Sequence, residues 1–349
     1  MHVNDKSIRF LFSMTNGTEN AVVAMRRFHQ GALCFVGAFP TCGAGTGAPV
    51  VDPLVSQGSV AVSPGGQFLF TVNAGSNTVS VFSVGCGRPI LLDVADARGF
   101  GPVSLAYFHG LLYVANRGDA DHPSNIAGFR VLGNGHLMLI PEADYPLSQS
   151  DAQPACLGFS PCGRYLVVSE RTTNKLNLYG VEPCGTLELL SVNPSSGAAP
   201  FGLVFTRCGL LLVSEAGPNA LSSYVVENGV LCVVSASVPN GQQATCWVAA
   251  TPDGRYAYTA NAGTGNISLF DVSPRGTLAY VESVPSIPAG TGAPIDCAVD
   301  SSGRFFYVLN GNQGSISALR IECEGRLTFA CLYRNICLPT VGAQGLALT

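Results

Sequence analysis

The chain has 349 residues, of which 47% are hydrophobic and only 11% charged. Soluble domains usually carry about 25% charged residues, so this surface must rely on uncharged polar groups and glycine. No apolar run approaches the roughly 20 residues of a membrane span. The formal charge is −4, without any basic run, so a membrane bundle and a nucleic-acid binder are both excluded.

The N-terminal stretch MHVNDKSIRFLFSMTNG holds a three-residue apolar patch, Phe10 to Phe12. That is short of the roughly 7–15-residue apolar core of a secretory signal. From Ser7 onward one pattern recurs: SIRFLFSMTNGTENAVVAMRRF (7–28) lacks its opening segment, and GSVAVSPGGQFLFTVNAGSNTVSVFSV (58–84) has it complete. Copies follow at 101–131, 153–181, 200–226, 244–272 and 294–321. Each reads as a short apolar strand, a tight turn of the Pro-x-Gly type, and a second strand ending in Asn or Glu. A polar loop, an alternating third strand, a Gly turn and a weaker fourth strand complete it.

The marker closing the second strand falls at Asn16, Asn73, Asn116, Glu170, Glu215, Asn261 and Asn310, a mean spacing of 49. Four antiparallel strands at that period predict a β-propeller blade. Seven blades fill the chain as a single all-β domain, 1–349. Gln344 to Thr349 reads like the opening strand of a blade, whereas the first copy begins at its second strand. The C-terminal strand is therefore expected to join the N-terminal blade and close the ring, removing exposed sheet edges. The two AGTGAP segments (44–49 and 289–294) open no helix, so they are read as connections between blades and not as phosphate cradles.

Thirteen cysteines are an odd number, so at least one is unpaired within the chain. Cys162, Cys184, Cys208 and Cys323 stand in turns where Asp or Asn is usual, and no CxxC pair occurs. Neither a zinc knuckle nor a redox motif is supported. Such thiols suit a reducing cytoplasm, with secretion after removal of a signal peptide as the alternative.

The segments SPGGQFLF, SPCGRYLV and TPDGRYAY, followed by VNAGSNTVSVF or TANAGTGNISLF, resemble the seven-bladed β-propeller lactonase family. Its members include 6-phosphogluconolactonase and carboxy-cis,cis-muconate cyclase, and the likeness runs from Ser7 to Thr349. For the cyclase branch the resemblance implies a His and an Arg beginning inner strands, and a Glu and another Arg near second-strand ends. Glu215 matches that Glu. Ala155, Phe201 and Ala262 stand at the other three positions.

In a blade, the start of the first strand and the end of the second share one end of the central channel. The candidate rim therefore holds Asn73, Asn116, Arg117, Glu170, Arg171, Glu215, Cys246, Trp247, Asn261 and Asn310. Of the histidines only His122, in the loop GDADHPS, is placed to reach it. Lactone hydrolysis needs a base for water and a donor for the developing oxyanion. Glu215 is the expected base, with Glu170 as alternative or partner and Arg117 as the cationic stabiliser. Arg171, Trp247, His122, Asn73, Asn261 and Asn310 are expected to contact substrate, although the asparagines also suit turn capping. A Cys246 nucleophile has no visible base. The expected function is a lactonase-like hydrolase of a small sugar-acid lactone, using neither metal nor cofactor. A non-catalytic propeller binding a small molecule or protein on its rim is the alternative, as is an isomerase or cyclase using the same carboxylate.

Overall fold

The structure, a computed structural model, describes residues 9–85, 87–288 and 290–349. Seven four-stranded antiparallel sheets follow one another around a ring. The inner strands are Val60–Val62, Pro102–Phe108, Pro154–Phe159, Pro200–Phe205, Thr245–Ala250 and Pro294–Val299 for blades 2 to 7. Blade 1 takes its inner strand, Gln344–Leu348, from the far end of the chain, and this strand pairs with Arg9–Met14. The expected closure by the C-terminal strand is what the fold shows. Residues 1–8 and Ala289 lie outside the described residues, so the reading of the N-terminal stretch, the first two residues of the first repeat and the start of the second AGTGAP segment do as well.

The apolar composition follows from this arrangement. Second and third strands lie between neighbouring sheets, and Phe68–Asn73 and Phe305–Asn310 are buried at all their positions. Outer strands such as Leu33–Pro40 face solvent at most of their positions. Adjacent blades are also latched by hydrogen bonds. Tyr113, Tyr258 and Tyr307, each on a second strand, donate to the carbonyls of Gly185 (2.5 Å), Gly325 (2.7 Å) and Gly31 (2.9 Å) in the next blade's third-to-fourth-strand turn. Glycine is required at Gly31: its φ is +80°, and a Cβ there would lie 2.2 Å from the Phe305 ring.

The seam between blades 7 and 1 carries an additional lock. Arg27 Nη1 meets Asp300 Oδ2 at 2.9 Å with both side chains 2% exposed, and Arg27 Nη2 donates to the Thr349 carbonyl at 3.0 Å. Asp300 also accepts from Ser302 Oγ and from the backbone of Arg304 and Phe305. Burial pushes its carboxyl upward, but those donors and Arg27 outweigh it and hold it below the usual range. Arg27→Met strands that carboxylate, so a loss of about 3–5 kcal/mol is expected in denaturant unfolding. A loss within error would show that the seam is held by strand pairing alone.

One connection breaks the pattern. Blade-to-blade links elsewhere take five to ten residues, but Thr41–Ser59, between blades 1 and 2, takes 19. Its second half enters the channel. Inner strands carry backbone groups on a free edge, and these need partners. Gln57 supplies both: its Nε2 donates to the Val248 carbonyl (2.9 Å) and its Oε1 accepts from Val248 N (3.0 Å). Gln57 N donates to the Ala155 carbonyl, Leu105 N to the Gly58 carbonyl, and Ser56 Oγ to the Val103 carbonyl. The segment thus plugs the channel by bonding to blades 3, 4 and 6. A Cβ at Gly202 would meet Gln57 Oε1 at 2.0 Å, so glycine leaves the room that the plug uses.

Candidate channel-mouth site

Strand alternation decides what the seven markers do. The marker side chain turns into its own blade, and the next residue turns toward the channel mouth. Asn73 Nδ2 donates to Thr78 Oγ1 and Ser80 Oγ at 3.0 and 2.8 Å. Asn261 does the same to Asn266 Oδ1 and Ser268 Oγ, and Asn310 to Ser315 Oγ and Ser317 Oγ. The partners lie five and seven residues ahead, at the start of the third strand. All three asparagines are wholly buried turn clamps.

The two glutamates occupy the same position, each with 0% exposure. Glu170 accepts from Ser148 N (2.8 Å), Ser148 Oγ, Thr173 Oγ1 (2.5 Å) and Asn177 Nδ2 (2.6 Å). Glu215 Oε1 accepts from Gly197 N (2.8 Å), Ser222 Oγ (2.6 Å) and Ser195 Oγ (3.3 Å). Its Oε2 is buried without a donor, and a Cβ on the overlying Gly197 would lie 2.2 Å from it. Both carboxylates tie a marker to the link that arrives from the preceding blade. Neither faces the mouth.

The residues after the markers are Gly17, Ala74, Arg117, Arg171, Ala216, Ala262 and Gly311. The only large side chains in this ring are therefore two arginines on neighbouring blades. Arg117 Nη1 makes a 3.4 Å contact with the Pro53 carbonyl of the plug. Arg171 Nε is buried without a hydrogen-bond partner. Burial lowers the Arg171 pKa, opposed by the nearby Asp52 and Cys246 and assisted by Arg117.

Asp52, in the plug, completes the cluster. Its Oδ1 accepts from Val55 N at 3.0 Å. Part of its surface stays open, yet it sits deep enough for desolvation to raise its pKa to about 7, against the pull of Val55 N, the Gln344 amide and Arg171. Gln344 Nε2 is a second buried donor without a well-aligned partner. Asp296 lies beneath, accepting from Cys297 N (2.9 Å) and Leu346 N (3.1 Å). Burial, with a contribution from Asp52, raises it too to about 7. Asp296 is the extra residue of a bulge in its inner strand, with φ +48°, which turns it out of the ladder.

The remaining rim residues separate. Trp247 is 2% exposed, donates from Nε1 to the Ser56 carbonyl at 3.0 Å, and packs edge-on against Phe201. It holds the plug. Burial, and then Asp52, push the Cys246 thiol far up, so it stays protonated. His122 stands away from the channel in a separate concavity of about 540 Å3, stacked on Phe100 and bonded to Asp119 at 2.8 Å. Among the described residues no cluster of three or more His, Cys, Asp or Glu could hold a metal. The twelve described cysteines are all free thiols.

Residues 234–334 match the family model for "Lactonase, 7-bladed beta-propeller". The chain resembles the seven-bladed β-propeller lactonases. The 6-phosphogluconolactonase of Yersinia pestis is 26% identical over 186 residues, covering 48% of this chain and 52% of that protein, so the match spans about half its length. The ring superposes on a protein from Lactobacillus plantarum with a TM-score of 0.78 at 17% identity, covering 98% and 99% of the two chains. The periplasmic gluconolactonase of Pseudomonas aeruginosa gives 0.74 at 20% identity, covering 98% and 99%. These two likenesses establish the fold.

Asp52, Asp296 and Gln344 escaped the sequence reading. One signal pointed toward Asp52: markers Asn16 and Asn73 stand 57 apart, the widest interval of the seven repeats.

Two outcomes follow from this geometry. Glu170→Gln puts an amide NH2 among four donors and is expected to cost about 1–3 kcal/mol, whereas Glu215→Gln can keep its oxygen on the three donors of Oε1 and place its NH2 where no donor opposes it, so it should cost less. Equal losses in denaturant unfolding would contradict the difference in partners. Asp52 and Asp296 keep their protons to about pH 7 when folded but release them near 3.8, the ordinary value of an aspartate, when unfolded. The native state therefore binds more protons between those limits, and stability falls as pH rises through this window, then levels. Asp52→Asn should make the fall shallower. An unchanged slope would remove Asp52 from this account.

Proposed function

We propose that the chain is a lactonase-type hydrolase that opens a small anionic sugar-acid lactone at the channel mouth. The observation that carries this reading is the Arg171 guanidinium, which lacks a side-chain hydrogen bond among the described residues, beside Arg117 and a carboxylate titrating near neutrality. Guanidinium groups present paired N–H donors that suit a carboxylate or phosphate, so Arg117 and Arg171 hold the substrate's anionic group. Asp52 takes a proton from the attacking water, whose oxygen bonds to the lactone carbonyl carbon. The buried Gln344 amide, facing Asp52, orients that carboxylate. The ring C–O bond then breaks, and the proton on Asp52 passes to the departing alcohol, leaving a hydroxy acid. A base with a pKa near the working pH is well matched to both transfers. Glu215 and Glu170 have no exposed surface, so in this reading they position the mouth and Asp52 carries the proton. The 6-phosphogluconolactonase name of the Yersinia pestis relative and the lactonase family match agree with the reaction class.

The test is turnover of gluconolactone and its 6-phosphorylated counterpart by purified protein. The phosphorylated lactone should be preferred, with kcat/KM rising through a pKa of about 7. Asp52→Asn should lower kcat by about 100-fold or more, while Arg171→Gln should chiefly raise KM and erase the preference. Full activity in Asp52→Asn would overturn the mechanism. The plugged channel and the closed glutamates favour one second reading, a non-catalytic propeller that binds such ligands. Binding by calorimetry without turnover of either lactone would establish it.

A further inference from the structure

A concavity of about 1380 Å3 lies at the end of the ring opposite the channel mouth. It is formed by the first-to-second-strand turns of blades 4 to 6 and the third-to-fourth-strand turns of blades 6 and 7. Five of the chain's 18 cationic residues line it: Arg164, Arg207, Arg255, Arg275 and Arg326. Three carboxylates, Asp253, Asp271 and Glu324, stand against them. Arg326 is occupied by Glu282 at 2.9 Å and Glu324 at 3.6 Å. Among the described residues Arg207, Arg255 and Arg275 form no ion pair within 4.0 Å.

The repeat explains why this charge is uncompensated. In blade 6 the turn residue Asp253 accepts from Thr251 Oγ1 (2.6 Å) and Arg255 N (3.1 Å). Blades 4 and 5 place Cys162 and Cys208 at the same position. Their sulfurs take the same hydroxyl partner, Ser160 Oγ at 3.4 Å and Thr206 Oγ1 at 3.1 Å. The thiols keep the turn and remove two carboxylates from one wall. Phe205, Tyr256 and Val281 add apolar surface to that wall. Planar guanidinium forks without ion pairs, one of them (Arg255) lying 5.4 Å over the Tyr256 ring, beside apolar surface in a space larger than a lone anion fills, match a phosphate attached to a carbon body.

We propose that this groove binds a nucleotide-sized organic phosphate, with the phosphate on Arg207, Arg255 and Arg275 and the body over the apolar wall. The site is independent of the channel mouth and of any lactonase activity. Cys162 provides an internal reporter. Burial works against ionisation of its thiol, but hydrogen bonds from Ser160 and Arg164 Nε (3.5 Å) and the Arg164 charge lower its pKa to about 7. A bound phosphate beside it would disfavour the thiolate.

The experiment is calorimetric titration of the intact protein with ATP, adenosine and inorganic pyrophosphate at low and high salt. It is paired with mass-spectrometric rates of Cys162 alkylation at neutral pH. ATP should bind and weaken with salt, adenosine should not bind, and pyrophosphate should bind more weakly than ATP. Arg207→Gln with Arg275→Gln should weaken ATP about tenfold or more, which is about 1.4 kcal/mol. Arg334→Gln, outside the groove, should leave it unchanged. ATP should slow Cys162 alkylation in the native-sequence protein, a readout that holds even if the double variant misfolds. Absence of ATP binding, an unprotected Cys162, or an ATP affinity indifferent to the double substitution would overturn the site. Pyrophosphate binding as tightly as ATP would overturn the role given to the carbon body.

Discussion

Everything in this structure depends on closing a ring whose two ends, bonded at Phe10 and Thr349, are 339 residues apart in sequence. Strand pairing between Arg9–Met14 and Gln344–Leu348 makes the last blade continuous with the first. The buried Arg27–Asp300 pair and the Tyr307–Gly31 latch clamp the same seam. An ion pair excluded from water is weak evidence for net stability, because desolvating both charges offsets much of their attraction. Its value here is specificity. Asp300 already collects three further donors, so a ring of the wrong circumference would leave a buried carboxylate and a buried guanidinium without each other.

Closure also creates the channel, and the channel creates the need for the plug. Seven inner strands each present a free edge to a narrow central space. Bulges at their mouth ends displace Ala155, Cys246 and Asp296 from the ladder. The plug answers three of those edges with the Gln57 amide, the Ser56 hydroxyl and the backbone of Gln57 and Gly58. Filling the channel from one side brings Asp52 under Arg117 and Arg171, residues of blades 3 and 4. The same packing that completes the core thus assembles the charged cluster at the mouth.

The fold was legible because it is periodic. Asn73, Asn261 and Asn310 recur at the same point of each unit, and a glycine or asparagine with positive φ, such as Asn77 or Gly265, begins the third strand. The site was only partly legible, because it is what departs from the period. Arg117 and Arg171 could be read, since each follows a marker. The marker glutamates drew the catalytic role because they were the carboxylates expected on the rim and Glu215 matches the family's Glu, yet strand alternation turns that position inward, and the neighbouring links supply its donors. Asp52 belongs to no repeat. Its partners, Arg171 and Gln344, lie 119 and 292 residues away, so only the closed ring brings them together.

The charges that remain are set where the fold resists them. An isolated carboxylate in a buried place ordinarily neutralises itself, and Asp52 and Asp296 do so up to about pH 7. Two such groups side by side weaken the folded state at neutral pH, relative to a channel filled by amides. A scaffold of seven interlocked sheets tolerates that loss because most of its stabilising contacts are distributed around the whole ring. Stability held in the blades and the cost of two protonated carboxyls at the axis are separable, and a fold that separates them can carry a charged mouth without loosening its core.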